Sequence, residues 1–198
     1  MKKRIVNVLL FAVCASAVLA AQDGAAPAAP EADVWKDDFT GKKAYVVQRV
    51  SNDKEKAASF RKEYKDGSLI LYYKFGPKCT PKTQGTFVYG VASPIDLKGG
   101  TALEIRYRTP VKGLSNLITW SYKDASGKAF GDWKRLPAFA EWKIVRIEMN
   151  KDGFAGQKNA KPAPAKLTAL DILSNQKNDD VERSIEIDYI RVPAPAKQ

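Results

Sequence analysis

Ser184-Ile185-Glu186-Ile187-Asp188-Tyr189-Ile190-Arg191-Val192 is the stretch on which the reading of the fold turns. β-Branched and aromatic residues dominate it, and such side chains fit a pleated, half-buried surface. Pro193 follows at once and cannot donate to a strand ladder, so the run reads as a final strand, with residues 193–198 as a flexible tail. Asp188 stands mid-strand, where a buried carboxylate needs a partner or a metal, because leaving it unpaired costs several kcal/mol.

Working back from this ending, similar runs recur at short intervals, separated by Gly, Pro and Asp. Leu167–Leu173 precedes it. Trp142–Met149 places Val145, Ile147 and Met149 on one face. Leu117–Tyr122 puts Ile118, Trp120 and Tyr122 together, ahead of an Asp124-Ala125-Ser126-Gly127 turn. Ala102–Thr109 alternates most clearly, with Leu103, Ile105 and Tyr107 one way and Glu104, Arg106 and Arg108 the other. Thr86–Val91 and Ala44–Val50 are further candidates. Leu69–Phe75 follows the turn dipeptide Asp66-Gly67 and alternates Leu69, Leu71, Tyr73 and Phe75. Many short strands without a convincing long helix predict an all-β, two-sheet antiparallel β-sandwich. Ser51–Lys62 is compatible with a turn or two of helix, and Gly153–Lys166 reads as a long loop.

The N-terminus has a different character. Lys2-Lys3-Arg4, an apolar run from Val8 to Leu19, and small residues before Ala21 fit a secretory signal peptide over residues 1–20. Its apolar run is too short for a bilayer span of ~20 residues. Residues 21–33 read as an Ala/Pro linker and residues 34–192 as one domain. We therefore expect a secreted or periplasmic protein. Without the leader, 30 Lys and Arg stand against 22 Asp and Glu, a net charge of +8 that favours anionic partners, although scattered lysines also serve solubility alone. Cys79 is then the lone cysteine, which excludes an internal disulfide; it is either buried or, in its Gly/Pro/Lys surroundings, exposed.

In their order along the chain, several stretches resemble galactose-binding-like jelly-roll domains of the carbohydrate-binding-module type. These are Ser93–Leu97 leading into Ala102–Arg108, Tyr122–Lys128, Glu141–Ile147, Leu170–Leu173 and Ile187–Ile190. The resemblance implies a jelly roll associated with glycan-degrading systems. It also implies a structural calcium, whose ligands would match Asp38, or its neighbour Asp37, and Asp188; two carboxylates alone do not make a calcium site. Trp35–Gly41 and Tyr64–Leu69 also resemble the opening of concanavalin-like sandwiches, among them family-16 glycoside hydrolases. That family's Glu-x-Asp-x-x-Glu strand is half reproduced by Glu186-Ile187-Asp188, but Arg191 or Val192 stands where the second glutamate belongs. Retaining hydrolysis needs two carboxyl groups ~5–5.5 Å apart, so the departure removes the acid/base partner.

There is no histidine, which excludes Ser-His-Asp and Cys-His nucleophile systems and imidazole-ligated zinc. Carboxylate-only catalysis through a pair such as Glu104 and Glu148 stays open. Binding chemistry is better represented. Sugar rings pack their CH faces on aromatic rings while their hydroxyls bond polar side chains. Trp133, beside Lys134 in a Gly/charge-rich segment, is the leading platform, read as hairpin or loop. Trp120 and Tyr122 are a second aromatic pair for which core packing competes. Trp142 reads as core, and Trp35 as an anchor of the first strand. Arg106 and Arg108 would clasp a uronate or sulfate if their face is concave. Three functions follow. The first is a non-catalytic domain binding polysaccharide, an anionic one on the reading of the net charge, as a monomer without nucleic-acid partners. The second is a concanavalin-like hydrolase, and the third an envelope interaction domain without a small ligand.

Overall fold

The computed structural model describes residues 32–40, 45–51, 56–80, 83–90, 94–110, 114–151 and 161–195, with 45–51 and 84–90 described by their backbone. The expected leader, nearly all of the linker, most of the loop after Gly153 and the last three residues lie outside these. Among the described residues no helix is long and apolar enough to cross a membrane.

Twelve strands are described: β1 (Asp33–Asp37), β2 (Tyr45–Ser51), β3 (Ala58–Lys65), β4 (Ser68–Phe75), β5 (Gln84–Gly90), β6 (Ile95–Asp96), β7 (Ala102–Arg108), β8 (Asn116–Lys123), β9 (Ala129–Leu136), β10 (Lys143–Glu148), β11 (Lys166–Ser174) and β12 (Arg183–Pro193). They form two six-stranded sheets. Sheet A has the order β10-β7-β12-β4-β3, with β1 added to β12. Sheet B has the order β2-β5-β11-β8-β9, with β6 added to β11. Every pairing within the sheets is antiparallel. The expected two-sheet sandwich is therefore the fold.

Each sheet is built around one long strand. The edge of β12 is shared by β4 over its first half and β1 over its second. β11 likewise serves β5 and β6. Both carry a bulge, between Ile187 and Tyr189 and between Leu167 and Ala169. An extra residue shifts the two-residue side-chain period by one. That is why the buried apolar residues of β12 read Ile185, Ile187, Ile190, Val192, and those of β11 read Leu167, Leu170, Ile172.

Between the sheets, Leu69, Leu71, Tyr73, Leu103, Ile105 and Tyr107 of sheet A meet Ile118, Trp120, Tyr122 and Leu136 of sheet B, all buried. Two polar tips in this core are answered by backbone carbonyls: Trp120 Nε1 donates to Met149 O at 3.0 Å and Tyr107 Oη to Pro137 O at 2.7 Å. Trp35 packs at the core's margin, as expected of an anchor, and Cys79 is buried.

Two local expectations are corrected. Ala58–Lys65 is strand β3, not a helical turn: Phe60 packs against the core and all eight residues pair with β4, so pairing overrides the helix-favouring Lys/Glu composition. The hairpin joining them turns on Asp66 and Gly67, both at positive φ (51° and 73°), the geometry that matches strand twist. Trp133 lies within edge strand β9 rather than in a loop, because Ala129–Leu136 pairs residue for residue with β8.

Candidate functional site

Tyr107, Ile105 and Leu103 point into the core, so alternation sends Arg108, Arg106 and Glu104 to the outer face of sheet A. Register then fixes their neighbours. Glu186 of β12 lies opposite Arg108, and Ile70 of β4 opposite Glu186. On the other side Ile144 lies opposite Arg106, which brings Trp142, two residues earlier, beside Arg108. The bulge in β12 presents Asp188 to Arg106.

Arg106, Arg108, Trp142, Glu186, Asp188 and Ile70 line a groove of about 430 Å³ with Tyr72 and, from the β3–β4 hairpin, Lys65 and Asp66. Arg106 Nη1 donates to Asp188 Oδ2 at 2.5 Å, and Arg108 Nε donates to Glu186 Oε2 at 2.7 Å. The guanidinium carbons of Arg108 and Arg106 sit 4.7 and 5.3 Å from the Trp142 ring centre, a cation–π arrangement that orients the indole. Tyr72 is covered by Arg61 at 3.3 Å and donates to Glu63. The groove's three cations (Lys65, Arg106, Arg108) are balanced by three carboxylates (Asp66, Glu186, Asp188). In each ion pair one carboxylate oxygen is taken, leaving Asp188 Oδ1 and Glu186 Oε1 as acceptors.

Beyond the groove a chain of ion pairs runs along the same face: Asp33–Arg191–Glu104–Arg146–Glu148. Burial pushes the Glu104 carboxyl up, but hydrogen bonds from Arg191 and Arg146 outweigh it and hold the group below its ordinary 4.5. Glu104 and Glu148 are thus bridged by one guanidinium rather than facing each other across a cleft.

Comparison with solved structures gives the fold a relation. The family 11 carbohydrate-binding module of a cellulosomal cellulase from Clostridium thermocellum superposes with a TM-score of 0.51 over 85% of this chain and 97% of that one, at 12% identity. The fold is that of a carbohydrate-binding-module jelly roll. The glycoside hydrolase domain structure of Endo-D from Streptococcus pneumoniae R6 aligns with a TM-score of 0.50 at 13% identity, over 77% of this chain and 22% of that one. An agarase aligns with a TM-score of 0.50 at 8% identity, over 86% and 25%. No family model and no curated protein matches the sequence.

The jelly roll separates the residues that the sequence grouped. Arg106 and Arg108 are together in the groove on sheet A. Trp120 and Tyr122 are withdrawn as ligand contacts: both are buried between the sheets, and Tyr122 Oη donates to Pro162 O at 3.0 Å. Trp133 is on the opposite side, facing outward from sheet B. Lys134, next to it, reaches back to Arg146 O at 3.4 Å and ties the edges of the two sheets. The residue that the sequence reading missed is Trp142, taken as core. Its signal was present: with Val145, Ile147 and Met149 inward, Trp142 shares the parity of Ile144 and Arg146, which face out.

The calcium implied by resemblance does not fit the donors as placed. Asp188 is bound by Arg106, while Asp38 Oδ1 accepts from Thr40 Oγ1 at 2.7 Å and from Thr40 N at 3.3 Å. The first of these holds its carboxyl below the ordinary 3.8. Asp37 Oδ1 accepts from Phe39 N. Among the described residues no three acidic, cysteine or histidine side chains group together, and calcium wants six or more oxygens.

Proposed function

We propose that the protein is an exported, non-catalytic, monomeric domain that binds polysaccharide in the groove on sheet A. The observation that carries this is Trp142 held beside two arginine–carboxylate pairs. An oriented indole offers a platform for the CH face of a sugar ring, while guanidinium N–H groups and free carboxylate oxygens exchange hydrogen bonds with hydroxyls. A neutral polymer matches the balanced lining better than the anionic one suggested by the net charge of +8, since an anion would have to displace Asp188 or Glu186 from an arginine.

The hydrolase reading finds less support. Glu186 and Asp188 are neighbours on one strand, each bound to an arginine of β7, and do not face each other across the groove.

Affinity electrophoresis through gels containing mixed-linkage β-glucan, xylan, agarose or polygalacturonate tests the proposal. We expect retardation by a neutral polymer, insensitive to salt, and loss of at least about tenfold in affinity with Trp142→Ala, the equivalent of about 1.4 kcal/mol. Unchanged retardation of Trp142→Ala overturns the groove as the site.

A further inference from the structure

We propose that the outer face of sheet B is a second glycan-binding surface, built on Trp133, so that one molecule joins two polysaccharide chains. The inference rests on the reading of the groove as a glycan site and extends it to the opposite side of the sandwich.

Register places the face. Ile118, Trp120 and Tyr122 of β8 are buried, so Leu117, Thr119 and Ser121 point outward. Thr119 lies opposite Trp133 on β9 and opposite Asp171 on β11, so an indole, a hydroxyl and a carboxylate form one row across three strands. All three residues are half-buried, with Asp171 Oδ1 itself shut from solvent. In the next row Ser121 lies opposite Gly131, whose missing side chain leaves the flank of Trp133 level: a Cβ there would stand 3.1 Å from Trp120 O. On the other flank Leu117 lies opposite Leu173. A flat aromatic with hydroxyl and carboxylate neighbours on a row without like-charge clustering suits an uncharged polyhydroxyl chain.

Geometry then makes the two surfaces independent. Packed sheets stand ~10 Å apart, and the groove and the Trp133 row face away from each other across both layers. A single chain cannot lie on both without wrapping an edge, so two occupied faces mean two chains. Bivalent capture of this kind raises apparent affinity on dense polymer by about 10²–10⁴-fold.

Calorimetry with a short oligosaccharide of the bound polymer, combined with turbidity of the soluble polymer itself, tests this on the whole chain. We expect the monomer, checked by size-exclusion chromatography with light scattering, to take two oligosaccharides and to cross-link polymer. Trp133→Ala and Trp142→Ala should each take one and fail to cross-link, and the double variant should take none. Thr119→Arg, which blocks the same row without removing an aromatic, should copy Trp133→Ala if the row is the site. One oligosaccharide per wild-type molecule, with Trp133→Ala and Thr119→Arg unchanged, overturns the second surface and leaves the groove standing. Loss of all binding in Trp133→Ala, with Trp142→Ala unchanged, overturns both the groove and the bivalency. Absence of binding by the wild type across the panel overturns the glycan reading itself.

Discussion

Trp120 and Trp142 differ by one relation, the side of a strand on which each falls, and this decides what substitution does. Trp120 is enclosed and bonded through its indole N–H. Trp120→Ala should therefore cost about 3–5 kcal/mol of stability, read as a large fall in Tm with glycan retention unchanged per folded molecule. Tyr122→Phe removes the bond to Pro162 O alone, and we expect a loss of about 1 kcal/mol in urea denaturation. Glu104 adds a pH dependence. Its carboxyl is held below 4.5, so its contribution is fully present above that value and is lost as pH falls through the lower folded value. Glu104→Gln should be less stable by about 2 kcal/mol at pH 7. The gap to wild type in Tm should narrow as pH falls below 4.5. Asp179, held far down by the buried Arg183 guanidinium, loses its contribution in the same direction.

At the scale of elements, β12 and its bulge set both the core and the groove. The sequence of this strand announced a β-run with an unexplained acid at its centre. The bulge supplies the explanation, because Asp188 is the extra residue and is turned to Arg106. Deleting Asp188 should remove the bulge and leave Ile185, Ile187, Ile190 and Val192 on one face, because the pairs with β7 on either side of it are already in consecutive register. We expect such a deletion to keep a cooperative circular-dichroism melt and, like Asp188→Asn, to weaken glycan retention, because Arg106 loses the carboxylate that holds it. Strands β4, β7, β8 and β10–β12 were legible because one face of each is apolar. β3 was not: its Arg, Lys and Glu belong to a solvated edge, and only pairing with β4 marks it as a strand.

For the whole molecule, the expectation of calcium becomes a thermal test. A ligand that binds the folded state raises Tm by mass action. With Asp38 and Asp188 engaged as they are, we expect millimolar calcium and EDTA to give the same Tm. A calcium-dependent rise abolished by Asp188→Ala would show that the ion displaces Arg106.

The sequence by itself determined the two-layer architecture, since a period of two in short runs bounded by turn residues has few other ways to bury its apolar faces. It also determined which chemistry is open, because residue types that are absent cannot act. The tertiary structure decided which polar residues meet. Arg106 and Arg108 find Trp142 because β10 lies against β7, and they are parted from Trp133 because β9 belongs to the other sheet. Such neighbourhoods depend on strand order, and local periodicity carries no information about it.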